Sequence, residues 1–111
     1  MFEYSKQGAV SLLSGSVPLT VENLYLARGA LEQALGKSHP RVVLNLQQVP
    51  LIDSAGLELL LDWQDQYTAR GGTMVLAAPN AICRDVLQAT GVASHFSIFD
   101  DALAAAGSFS Q

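Results

Sequence analysis

Asp53-Ser54-Ala55-Gly56 is a small polar crossing inside LIDSAGLELLLDWQ, residues 51–64, between a hydrophobic run and a Leu-rich helical pattern. A hydroxyl at such a crossing has two uses. It can cap the helix, since Asp and Ser are preferred N-caps worth roughly 1 kcal/mol each, and the small residues beside it let a helix approach a sheet. It can also accept a phosphoryl group, because the first turn offers unsatisfied backbone N–H groups and the positive end of the helix dipole. A phosphate would add about −1.5 to −2 charges at one surface point, enough to repel a partner packed there. The neighbouring carboxylate of Asp53 would sharpen that repulsion. The residues alone leave both uses open.

The other chemistry-bearing residues form no constellation. His39 precedes Pro40 in a loop and His95 precedes the last strand, and neither stands at a metal-ligand spacing from Cys83 or the other His. Surface or packing roles fit both histidines, and Cys83, within an amphipathic pattern, reads as a small buried hydrophobe. There is no P-loop and no G-x-G-x-x-G after a strand. The glycines of ARGGTM follow a helix and precede a strand, so they read as a helix end rather than a phosphate cradle. Asp100 and Asp101 begin a helix, where carboxylates suit the positive dipole end. No nucleophile with a base, carboxylate pair, metal set or cofactor loop is present. The expectation is a protein that is not an enzyme and needs no cofactor or metal.

The elements that must hold the Asp53–Gly56 crossing follow from periodicity. GAVSLLSGSV, residues 8–17, reads as a first strand, followed too closely by SVPLT for a crossover helix, so residues 16–20 are expected as a short hairpin or edge extension. Thr20 can cap a helix over about 21–36, with Asn23 in the capping-box position, carrying Leu24, Ala27, Leu31 and Leu35 at helical spacing and ending at Gly36. RVVLNLQQVPLID, residues 41–53, is the clearest strand, and a helix over about 55–70 ends at Gly71-Gly72. TMVLAA (73–78) is a buried strand, residues 80–91 a helix with an Asn80 cap and a Gly91 stop, 96–100 a last strand and 101–107 a last helix. SFSQ, 108–111, is expected as a frayed tail. Strands alternating with helices imply right-handed βαβ units and a layered α/β domain with a largely parallel sheet. No repeat, linker or low-complexity segment divides the chain, so one domain over 1–111 is expected.

Composition narrows the function classes. Half of the 111 residues are hydrophobic, enough to bury a core without disulfides or metals, and Cys83 is the only cysteine. No stretch approaches the roughly 20 apolar residues of a membrane span, and MFEYSKQGAV lacks the basic start and apolar run of a secretory signal. A cytoplasmic domain without membrane insertion is expected. The net charge is −4 and the six Lys and Arg are thinly spread, so no clustered basic face marks a nucleic-acid footprint. Protein partners suit this balance.

On the helix after Gly56, a helical projection groups Leu57, Leu60, Leu61, Gln64 and Thr68 as the sheet-facing stripe. Leu59 and Trp63 fall on a neighbouring row. That apolar pair can pack beneath another helix, or it can stand exposed as an anchor for a partner beside Ser54. The second arrangement is the expectation, since a Trp in such a place is a typical interface hot spot.

LNLQQVPLIDSAGLELLL resembles the central segment of the STAS domain, shared by bacterial anti-sigma factor antagonists and the cytoplasmic tails of sulfate transporters. The resemblance continues through ARGGTMVLAAPNAICRDVLQATGVASHFSIFDD, and AVSLLSGSV looks like the family's opening strand. The implied fold is a small mixed, mostly parallel β-sheet flanked by about four α-helices. In the antagonists the serine directly after the Asp of Asp-Ser-x-Gly-Leu is phosphorylated, and Ser54 holds that position. The chain departs from the family at two places. Pro18 stands where many antagonists carry an acid after the first strand, and Ala55 where some relatives carry a second hydroxyl, which leaves one candidate phosphosite.

The resemblance implies an anti-sigma factor antagonist that binds an anti-sigma factor or serine kinase-like regulator while unphosphorylated. Phosphorylation of Ser54 by that kinase releases it and a phosphatase resets it. Asp53, Ser54, Ala55, Gly56, Leu59 and Trp63 are the expected partner-binding residues. ATP would belong to the partner. STAS subunits also occur in phospholipid-transport ABC complexes, where the matching Thr or Ser helps contact the ATPase subunit, which gives an alternative without a phosphorylation cycle. A small-ligand or nucleotide-sensing domain is a third reading, with no loop motif behind it.

Overall fold

The computed structural model describes residues 1–36 and 38–110. Five strands, β1 (Phe2–Gln7), β2 (Val10–Gly15), β3 (Arg41–Asn45), β4 (Thr73–Ala77) and β5 (Ile98–Phe99), lie side by side in chain order. β1 and β2 pair antiparallel, and every later pair is parallel. Four α-helices complete the fold: α1 (Leu24–Gln33), α2 (Ser54–Ala69), α3 (Ala81–Ala89) and α4 (Ala102–Gly107).

The strands alternate between two cores, as a pleated sheet covered on both faces requires. Leu13, Val42, Leu44, Met74 and Leu76 join Ala27, Leu31, Leu60, Tyr67, Cys83 and Leu87 under α1, α2 and α3. Val43, Val75 and Ala77 point the other way, toward Ala105 of α4, with Leu12 and Phe99 packed around them. The large core therefore lies on the three-helix face.

β1 corrects the expected hairpin. The hairpin forms at Gly8-Ala9, where Gln7 pairs with Val10, not at residues 16–20. β1 is an edge strand with only Phe2 and Tyr4 half-buried, so its sequence carries little hydrophobic alternation. Residues 16–20 turn over the sheet instead, and Leu19 forms a single parallel bridge to Ile52. The expected strand over 41–53 stops at Asn45. Its side-chain Oδ1 accepts from the Gln47 N–H at 3.1 Å, an Asx turn that takes the chain out of the ladder. Leu46, Val49 and Ile52 are buried all the same, which is why the segment reads as a continuous strand.

Helix starts were mostly legible. Asn80 accepts from Cys83 N–H at 2.8 Å and Asp101 from Ala104 N–H at 2.7 Å, each as an N-cap. The Thr20 side chain makes no capping bond; residues Val21–Asn23 form a 3-10 turn, and the Asn23 amide donates to Pro18 O at 2.9 Å. α2 closes as expected at Gly71-Gly72. Gly71, at φ 78°, donates to Thr68 O, and Gly72 donates to Tyr67 O, both at 2.9 Å, the paired bonds of a Schellman end. The tail expected to fray forms a 3-10 turn over Ser108–Ser110, with Phe109 half-buried on the α4 face. Gln111 lies outside the described residues.

Candidate functional site

The site lies where the C-terminal end of β3 feeds, through residues 46–53, into α2. Asp53 rather than Ser54 is the cap. Its Oδ1 accepts from Gly56 N–H at 2.9 Å and its Oδ2 from Val21 N–H at 3.1 Å. Asp53 N–H in turn donates to Leu19 O at 3.2 Å, and Leu19 N–H to Leu51 O at 2.9 Å. One carboxylate thus holds the first turn of α2 and the 19–21 turn together.

With Asp53 as cap, Ser54 becomes the first residue of α2 and stands exposed, its hydroxyl outside the capping bonds. Ala55 beside it is half-buried. Gly56 is buried, and a Cβ there would sit 2.2 Å from Leu19 O. It is a point of close backbone approach with no room for a side chain. Buried there, it sets the first turn of α2 against the 19–21 turn.

Leu59 and Trp63 are corrected as well. Both are buried, at 5% and 8% exposure, so they are not anchors on the surface. They continue into Tyr67, whose ring centroid lies 5.7 Å from that of Trp63 and whose hydroxyl donates to Leu31 O of α1 at 2.8 Å. α2 packs on the sheet and on α1 at once. A helix with two neighbours buries a wider arc than one lying on a sheet alone, and Tyr67, at the end of the Leu59–Trp63–Tyr67 row, is the residue bonded to α1. The projected sheet stripe holds at Leu57 and Leu60, while Leu61 is half-buried and Thr68 exposed.

The apolar surface near Ser54 comes from other elements. Val21, tied to Asp53, is 65% exposed; Leu51, two residues before Asp53, is 43% exposed. Ile82, at the start of α3, is 61% exposed, and the Asn80 amide holds that helix start beside Pro50 by donating to its carbonyl at 3.2 Å. Sequence reasoning missed these three residues. The apolar types of Val21 and Leu51 in polar turns were the available signal, but periodicity does not say which loop residues turn outward.

His39, His95 and Cys83 are not brought together with the site. Cys83 is buried on the inner face of α3, and burial pushes its thiol pKa up, against thiolate chemistry. Among the described residues no group of three or more His, Cys, Asp or Glu is placed to hold a metal ion. No described helix is long and apolar enough to cross a membrane.

The STAS domain family matches residues 2–105. The chain belongs to that family. A Thermotoga maritima protein named as an inferred anti-sigma factor antagonist is 28% identical over 101 residues, 90% of this chain and 89% of that protein. The solved structure of an inferred antagonist from the same organism superposes with a TM-score of 0.90 at 25% identity, covering 99% of this chain and 95% of that one. The anti-sigma factor antagonist SpoIIAA, solved in its unphosphorylated form, has the same fold. Its TM-score is 0.74 at 18% identity, over 94% of this STAS domain and 92% of that chain. The α/β architecture with a five-stranded, mostly parallel sheet is the one these neighbours share.

Proposed function

We propose that this STAS domain is an anti-sigma factor antagonist of the cytoplasm, without catalytic activity of its own, controlled by phosphorylation of Ser54. In its unmodified form it binds an anti-sigma factor with serine-kinase character. That kinase phosphorylates Ser54, the complex separates, and a phosphatase restores the serine. The observation that carries this reading is the exposed Ser54 hydroxyl at the first residue of α2, directly after the Asp53 cap. A phosphoryl group there would stand beside a fixed carboxylate that also holds exposed Val21, with exposed Leu51 three residues before it. Apolar contacts on those residues supply affinity, and about −1.5 to −2 charges beside them would oppose it. Two of the named relatives are inferred anti-sigma factor antagonists and a third, SpoIIAA, is named as one, which supports the same partner class here.

The test is capture from native lysate on three baits: wild type, Ser54→Ala and Ser54→Glu, with mass spectrometry of the captured proteins and of Ser54. A kinase-like regulator held by the first two and lost from the third, with phosphate on Ser54, is expected. An ABC-transporter ATPase held equally by all three baits, with Ser54 unmodified, would overturn the proposal in favour of a transport-complex subunit.

A further inference from the structure

The end of the molecule opposite Ser54 carries a cleft of about 310 Å³ among Lys6, Ser11, Ala34, Ser38, His39 and Arg41. It opens at the N-terminal ends of β2 and β3, whereas Ser54 follows their C-terminal ends. α2, with 16 residues, separates the two by about 24 Å at 1.5 Å per residue.

The lining is one-sided in charge. The chain has ten Asp and Glu against six Lys and Arg, yet among the described residues no acid lines this cleft, while Lys6 and Arg41 do. Among the described residues the one ion pair joins Arg84 to Asp100, away from here. The C-terminal carbonyls of α1, near Ala34 and Gly36, would oppose an anion. Arg70 occupies that end, donating from Nη1 to Gly36 O at 3.1 Å.

Two further features mark the cleft as built. Ser11, cross-strand partner of Lys6, is the only buried polar residue among the described ones, at 5% exposure, and it lines the cleft floor. His39 holds φ 52°, a left-handed conformation rarely adopted by a residue with a Cβ, secured by its N–H donating to Arg70 O at 2.8 Å. Backbone held in such a conformation is concentrated at binding sites.

We propose that this cleft binds a small phosphate-bearing anion. Lys6 and Arg41 supply the charge, Arg41 also the forked donor geometry that suits phosphate oxygens, and the hydroxyls of Ser11 and Ser38 further donors. The site is independent of Ser54 and of the proposed phosphorylation cycle.

Inorganic phosphate titrated into the full-length, nitrogen-15-labelled protein at constant ionic strength, with chloride as control, is the test. Saturable amide shifts should centre on Lys6, Ser11, His39 and Arg41 and leave Ser54 unmoved. Lys6→Gln and Arg41→Gln should each weaken the apparent Kd roughly tenfold, the loss of one charge-assisted hydrogen bond. Both residues are exposed, so the denaturation midpoints should hold. Ser54→Ala should leave the titration unchanged. Shifts that fail to saturate, spread over the surface, or persist undiminished in both charge variants would overturn the site.

Discussion

The Gln64 side chain of α2 completes the hydrogen-bond ladder of β4 at Met74. Its Oε1 accepts from Met74 N–H at 2.8 Å and its Nε2 donates to Met74 O at 3.1 Å. Further along the same edge, Leu76 N–H donates to Ser97 O at 3.0 Å and Ala78 N–H to Phe99 O at 2.8 Å. β5 has only two residues and does not reach Met74. A side-chain amide, with one donor and one acceptor held in a plane, stands in for the missing strand residue.

Replacing Gln64 by Leu should therefore leave a buried N–H and C=O unpaired. We expect a loss of about 2 kcal/mol in urea unfolding, with faster amide hydrogen exchange at Met74. An unchanged exchange rate there would show that the strand edge is satisfied in another way.

Trp63→Ala separates core from interface. With Trp63 at 8% exposure and against Tyr67, the expected loss of stability is about 3–5 kcal/mol. Whatever folded protein remains should bind its partner normally. Val21→Asp and Leu51→Asp should do the reverse, changing stability by no more than about 0.5 kcal/mol and weakening binding by about 1 kcal/mol or more. Calorimetry with the captured partner, beside thermal unfolding, gives both quantities.

The cap and the proposed phosphoacceptor are adjacent residues with separable effects. Asp53→Ala loses the bonds to Gly56 and Val21 and should cost about 1–2 kcal/mol. Ser54→Ala takes nothing from the cap, so stability should stay within about 0.5 kcal/mol of wild type while phosphorylation by the cognate kinase disappears. Phosphopeptide mapping that places the group on Ser5, Ser14 or Thr90 would refute the assignment to Ser54.

Tyr67 predicts the alkaline limit. Desolvation by burial raises its hydroxyl pKa well above the ordinary value of 10.0, and the protonated hydroxyl donates to Leu31 O. The unfolded chain releases this proton near pH 10, while the folded chain keeps it. Stability is therefore complete below the unfolded pKa and falls as pH rises beyond it. Tyr67→Phe should be less stable than wild type by about 1 kcal/mol at neutral pH, and the difference should shrink above about pH 10. Buried Cys83, also shifted upward, loses stability from a lower pH in both proteins, so the difference between the two curves isolates Tyr67.

The sequence by itself determined the alternation of strands and helices, the cap at Asn80, the helix start at Asp100-Asp101, the Gly71-Gly72 helix end and the junction at Ser54. These depend on local chemistry: a side-chain oxygen reaching an N–H three residues on, a residue free to adopt positive φ, a run of β-branched residues. Tertiary structure alone decided which face of α2 is covered. Leu59 and Trp63 have the same sequence spacing whether the fold or a partner covers them, and only the packing of α2 against the sheet and α1 fixed the answer. It also decided that Asp53 takes the cap, because its second oxygen is held by Val21, 32 residues away in the chain. β1 was invisible for a related reason: an edge strand buries little, so pairing with β2 rather than its own hydrophobic pattern makes it a strand. The cleft at Lys6 and Arg41 was equally out of reach, since charges 35 positions apart in sequence gather only when strands pair.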